Sequence, residues 1–137
     1  MKLTKAESDF IKQQGVARIA TIGPDNMPHN VPVCPVLDRD RVYVGSDKTA
    51  AKVRNIEANP KAAIVFDVYR DSWKDLRGVM LRCTAHLVDE KEFKRIRRKL
   101  YSKYPHYSTE AALEQEDSVI IELIPEKKFS WGLKQRT

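Results

Sequence analysis

The chain predicts an α+β fold built on an antiparallel sheet that curls into a small barrel. Three observations carry this. Six strand-like runs recur along 137 residues, hairpin-length turns join neighbours among them, and helical segments stand at the start, in the middle and late. The length suits one domain with a core that needs no metal or disulfide staple. A hydrophobic content of 42% fits a folded protein and excludes a disordered one.

The first element is a helix, about Thr4 to Gln14. Thr4 and Glu7 have capping-box spacing, Leu3, Ala6, Phe10 and Ile11 form one apolar side, and Gly15 stops it. A strand follows over Val16–Ile22, closed by the turn signal Gly23-Pro24-Asp25-Asn26. Asn30–Leu37 reads as the next strand. Pro32 and Pro35 cannot donate to a ladder, so this strand is expected to be irregular or to lie at an edge. Asp38-Arg39-Asp40 turns the chain into a short strand, Arg41–Val44, that stops at Gly45.

A hydroxyl-rich turn with Ser46 and Thr49 leads into a helix carrying Lys52 and Arg54, which Asn59-Pro60 ends. Strand, polar turn and basic helix suit an anionic group such as a phosphate. Hydroxyls and the free N–H groups of a helix start supply donors, and Lys52 and Arg54 supply charge. An ordinary strand-to-helix turn with a solvated basic helix explains the same residues.

Lys61–Val68 is a buried-type strand, and Tyr69–Asp75 is a polar loop holding Trp73. Arg77–Val88 is a long strand with Arg82, Thr84 and His86 on one face and Leu81, Cys83, Ala85 and Leu87 on the other. Asp89 caps a helix reaching Tyr104, with Phe93, Ile96, Leu100 and Tyr104 as its apolar stripe. Its other side is basic from Lys91 through Lys99. A short helix is expected within Tyr107–Asp117, then a last strand, Ser118–Ile124, and an aromatic tail from Pro125 to Thr137.

The formal charge of +6 favours anionic partners: nucleic acid, an acidic membrane surface or a phosphorylated cofactor. No apolar run approaches a membrane span. The start, Met1-Lys2-Leu3-Thr4, passes straight into a polar amphipathic segment rather than a signal peptide, so a cytoplasmic location is expected. A reducing compartment leaves Cys34 and Cys83 as thiols.

Three passages then carry a resemblance. They are Ala17–Ile22 with Pro28–Val33, Lys52-Val53-Arg54-Asn55-Ile56 through Asn59-Pro60-Lys61, and Trp73 with Leu76–Arg82. In order and spacing they make the chain resemble the pyridoxamine 5'-phosphate oxidase-like split-barrel flavoproteins, which include small deazaflavin-dependent reductases. The resemblance runs from about Thr4 to Leu133. Phe129-Ser130-Trp131-Gly132 looks like endings in the deazaflavin-using branch.

The resemblance implies a six-stranded antiparallel split β-barrel, a homodimer with cofactors in the grooves between subunits, and hydride transfer to or from a small molecule. The cofactor it implies is FMN, with a deazaflavin coenzyme as the alternative. Val33, Cys34, Pro35 and Val36 run beside the ring. Ser46, Lys48, Thr49, Lys52 and Arg54 are the phosphate-side residues, with Lys52 foremost, and Trp131 approaches the ring region. The chain is much shorter than true pyridoxamine phosphate oxidases. It also lacks their arginine–lysine strand signature around residues 31–37, which argues against that substrate.

Other readings compete. His29, Cys34, Cys83 and His86 tempt as zinc ligands, but Cys83 and His86 are an odd number apart on a strand and face opposite ways. Neither cysteine has the basic neighbour of a catalytic thiol. The basic helix Lys94–Lys99, with Tyr101, Tyr104 and Tyr107 nearby, could grip nucleic acid, or it is a solvated face. A non-enzymatic barrel that stores flavin or binds another anionic ligand such as haem is the last alternative.

Overall fold

A computed structural model of the protein describes residues 1–133; the final four residues of the tail lie outside it. The elements are α1 (Lys5–Gln13), β1 (Ala17–Ile22), β2 (Pro28–Val33), β3 (Pro35–Asp38), β4 (Arg41–Asp47), α2 (Ala51–Ala58), β5 (Lys61–Val68), β6 (Arg77–Leu87), α3 (Glu90–Lys103), α4 (Tyr107–Glu110) and β7 (Ser118–Trp131). A single 3₁₀ turn, Trp73–Asp75, sits in the loop before β6.

All strands pair antiparallel in one sheet, in the order β2-β1-β5-β6-β7-β4-β3. Strands β2 and β3 therefore stand at opposite ends of the sheet, although only Cys34 separates them. Val33 pairs with Ala17 at one edge, and Pro35 pairs with Val44 at the other. Two residues of extended chain span about 7 Å, so the sheet must curl until its two edges meet at Cys34. That closure makes the barrel, and the divergence of β2 and β3 beyond Cys34 splits it.

The single strand expected over Asn30–Leu37 is thus two strands, and the sheet has seven strands rather than six. The proline argument holds in both halves. Pro32 and Pro35 lie on edge strands, where a missing N–H costs no ladder bond. Two other boundaries differ from expectation. Strand β4 runs through Gly45 to Asp47, paired with β7 as far as Ser118, and a Cβ at Gly45 would press within 2.9 Å of the Leu113 side chain. This glycine permits close packing and does not end the strand. Strand β7 likewise runs through Pro125 to Trp131, so most of the aromatic tail is sheet paired to β6 across a bulge at Arg82/Cys83.

Two apolar clusters form. Ile19, Ile64, Phe66, Val79, Leu81 and Ile121 fill the barrel with Phe10 and Ile11 from α1 and Val53 and Ile56 from α2. On the outer face, Phe93, Ile96 and Leu100 of α3 pack on Val36, Tyr43 and Ile120. The expected caps are formed: the Thr4 hydroxyl accepts from the Glu7 amide at 3.1 Å, and the Asp89 carboxylate accepts from the Glu92 amide at 2.9 Å. Among the described residues no helix is long and apolar enough to cross a membrane.

The β3–β4 hairpin turns on Arg39 and Asp40, whose φ angles are 51° and 60°. Two consecutive positive φ values define the tight turn that favours Asn-Gly. Each ordinary L-residue held there costs energy. Replacing Arg39 by Asn and Asp40 by Gly is expected to raise stability by about 1–2 kcal/mol, read as a higher denaturant midpoint.

Candidate functional site

Helix α2 closes one end of the barrel. Val53 and Ile56 anchor it in the core, and Asn55 donates its side-chain amide to the Thr21 hydroxyl at 3.0 Å in a buried bond. Lys52 lies one turn before Asn55 and Ile56 and so shares their side of the helix. It is half-buried, and among the described residues it makes no hydrogen bond or ion pair. Burial lowers its pKa, and the charge of Asp47 only partly offsets this. A desolvated ammonium without a bonded counter-charge is a ready anion site.

The other phosphate-side residues divide. The Thr49 hydroxyl and amide both donate to Asp47, at 2.6 and 2.8 Å, and order the turn before α2. Arg54 is exposed and donates to the Thr49 carbonyl at 2.9 Å. Ser46 is buried in β4, with its hydroxyl donating to the Asp47 carbonyl at 3.0 Å. Lys48 is exposed at the turn. The structure therefore gathers these five residues at one turn and leaves the ammonium groups of Lys48 and Lys52 without intramolecular bonds among the described residues.

His29 is the residue that sequence reasoning passed over here. It lies directly across from Thr21 in the β1–β2 ladder, on the face that meets Asn55, and among the described residues its buried Nδ1 has no hydrogen-bond partner. Its only sequence signal is its place in the Pro28–Val33 passage.

The crossover segment, expected beside the ring, is partly occupied by the chain itself. Val33, Pro35 and Val36 are buried, and Cys34 is exposed. The Pro35 carbonyl accepts from Lys103 at 2.9 Å and from the Tyr104 hydroxyl at 2.6 Å, so α3 already uses this backbone group. Trp131, at the end of β7, lies directly across from Gly78. A Cβ on Gly78 would stand 2.4 Å from the indole and 2.9 Å from the Phe66 carbonyl. The indole therefore packs directly against Gly78, and among the described residues its buried Nε1 has no hydrogen-bond partner. Gly78→Ala is expected to cost about 1–3 kcal/mol through overpacking. Thermal melts of Gly78→Ala, Trp131→Ala and the double variant check this: the alanine should cost much less where Trp131 is absent.

The competing constellations look different in three dimensions. Cys83 is buried in the core, with its thiol pushed up to about 12 by burial, while His86 is half-exposed on the outer face. Among the described residues no group of three or more His, Cys, Asp or Glu side chains could hold a metal. On α3, Arg95 and Lys99 each bond the buried Asp38 at 2.8 Å, and Arg95 also bonds Glu92 at 2.8 Å. Much of that basic face is thus neutralised within the fold.

Beside this lies a network that the sequence did not reveal. Glu122 of β7 is buried and accepts from the Tyr43 hydroxyl at 2.6 Å and from Arg41 at 3.1 Å, and it pairs with His86 at 2.6 Å. Burial alone would raise its pKa. The bonds from Tyr43 and Arg41, with the charges of Arg41 and His86, overcome that and hold it below the usual carboxylate range.

Comparison with known proteins bears on this geometry. The chain is 34% identical over 94 residues to the 5a,11a-dehydrotetracycline/5a,11a-dehydrooxytetracycline reductase of Streptomyces rimosus, a match covering 64% of this chain and 66% of that protein. The chain thus spans just under two thirds of that relative's length. Its fold is similar to that of HutZ, the haem storage protein of Vibrio cholerae, with a TM-score of 0.81, 18% identity and 97% of each chain covered. It is also similar to that of an F420 reductase, with a TM-score of 0.74, 22% identity, and 93% of this chain and 98% of the other covered. The pyridoxamine 5'-phosphate oxidase family model matches residues 3–132, nearly all of the described chain. On that match, and on a split barrel closed by α2, the chain belongs to the pyridoxamine 5'-phosphate oxidase family.

Proposed function

We propose that the protein is an oxidoreductase that binds a phosphorylated flavin, FMN, and transfers hydride to or from a small molecule. The observation that carries this is Lys52, half-buried at the start of α2 and, among the described residues, with no bonded counter-charge. A phosphate fits that ammonium, with Lys48, Arg54 and the helix-start amides as further donors. The buried nitrogens of His29 and Trp131, which find no partner among the described residues, suit the polar groups of a ring cofactor. When bound, a flavin supplies the hydride chemistry, so the protein's task is to bind, orient and exclude water. A deazaflavin coenzyme is the second reading. The likeness to an F420 reductase favours it, and the reductase relative from Streptomyces supports an oxidoreductase under either reading.

The cofactor groove requires a second copy of the chain. The outer face of β5, β6 and β7 supports this reading. Val65 and Met80 lie half-buried there in one row with Phe129, which is 45% exposed. Light scattering of the purified protein should give a dimer, and Phe129→Glu should give a monomer. We place the protein in the cytoplasm, where the exposed Cys34 stays reduced.

The test is a visible absorption spectrum, followed by separate titrations of the stripped protein with FMN, the deazaflavin coenzyme and haem. Tight binding of FMN supports the first reading, and binding of the deazaflavin alone the second. Binding of haem alone, or of none of the three, overturns both.

A further inference from the structure

A second cationic feature stands on the outer face of the sheet, away from Lys52. Arg82 lies directly across from Lys127 in the β6–β7 ladder, at the bulge. Lys61, across from Thr84, is one diagonal step from Arg82 on the same face. All three are exposed, and among the described residues none forms an ion pair. Glu126, the extra residue of the bulge, pairs with neither Arg82 nor Lys127.

Like charges placed directly opposite on neighbouring strands repel. The fold answers comparable cations elsewhere: Arg18 with Asp67, Arg41 with Glu122, and Arg95 and Lys99 with Asp38. The Arg82–Lys127 pair goes unanswered at a bulge, a feature that re-aims side chains and recurs beside active sites. The next row on this face is apolar, with Val65, Met80 and Phe129 in register. Where a second copy closes over that row, the two cations stand at the rim of the groove between subunits.

We propose that Arg82 and Lys127 form the subsite for an anionic group on the substrate. The substrate class is a small molecule with an apolar body and a carboxylate or phosphate. Arg82 offers a planar fork to such a group, and Lys127 adds a point charge. Both are positioning residues, and the assignment rests on the flavin-type reading of the Lys52 site.

The experiment follows backbone amide NMR shifts of the intact protein during titration with hexanoate, hexyl phosphate and neutral hexanol. The two anions should shift the amides of Arg82 and Lys127 saturably, and hexanol should not. The tighter of the two anions identifies carboxylate or phosphate as the natural group. Arg82→Gln with Lys127→Gln should weaken anion binding by about tenfold or more while leaving flavin affinity unchanged. Lys52→Gln should do the reverse. Equal shifts with hexanol, or unchanged anion binding in the double variant, overturn the proposal. So does loss of flavin binding in the double variant, which would assign these cations to the cofactor. Anion shifts at Arg82 in a protein that binds no flavin would retain the anion subsite and reject the redox reading.

Discussion

Replacing Lys52 by alanine is expected to weaken flavin or deazaflavin binding by about ten- to a hundredfold, the loss of one charge-assisted bond to phosphate. Its effect on the cofactor-free protein should have the opposite sign. Burial lowers the pKa of Lys52, so at neutral pH the folded state holds an ammonium that it solvates poorly. The unfavourable term is present below the folded-state pKa and fades as pH rises through it. Removing the ammonium should therefore leave the melting temperature of the stripped protein unchanged or slightly higher, and alanine is a strong helix former at this position in α2. Weaker binding with undiminished stability marks a site kept for a ligand. Parallel titrations and melts check it, and a large drop in melting temperature with unchanged affinity would reduce Lys52 to a structural residue.

Glu122→Ala is expected to destabilise the fold by about 3 kcal/mol. The carboxylate side chain is only 9% exposed. Its removal leaves the buried Tyr43 hydroxyl without its acceptor and Arg41 without its ion pair. Urea melts of the two proteins measure the cost. The same network makes stability acid-sensitive. Glu122 has a folded pKa below its unfolded value, and so does Asp38, where bonds from Lys99 and Arg95 outweigh the opposing effect of burial. Their contribution is complete above the unfolded carboxylate range of about pH 4, and it is lost as pH falls through the lower folded values. Urea midpoints measured downward from pH 6 should fall steeply below about pH 4. Glu122→Gln should flatten that fall.

Much of the fold was legible because its signals are local. A hydroxyl three residues before a glutamate caps a helix wherever it stands, as Thr4 and Glu7 do. Alternation places Cys83 inward and His86 outward without reference to the rest of the chain. The prolines at 32 and 35 excluded a central strand, and both lie on edges. The basic start of α2 was legible for the same reason, since turn, hydroxyls and cations are contiguous.

The misread features all depend on residues far apart in sequence. Gly45 looked like a stop because nothing nearby shows that Leu113 will pack against it. Pro125 looked like the end of the last strand because the bulge that accommodates it is made with Cys83. Glu122 gathers Arg41, Tyr43 and His86 only after β4, β6 and β7 have paired.

The class of fold, the caps and turns, the basic helix start and the family resemblance were readable along the chain. These follow from short-range chemistry that each segment carries with it. Three features emerge only once the chain has folded: one residue, Cys34, joins the two opposite edges of the sheet; Lys52, unlike Ser46 or Thr49, keeps a polar group unanswered among the described residues; and Arg82 faces Lys127. Register and closure are set by the burial of a whole sheet face at once, and no single segment contains that information.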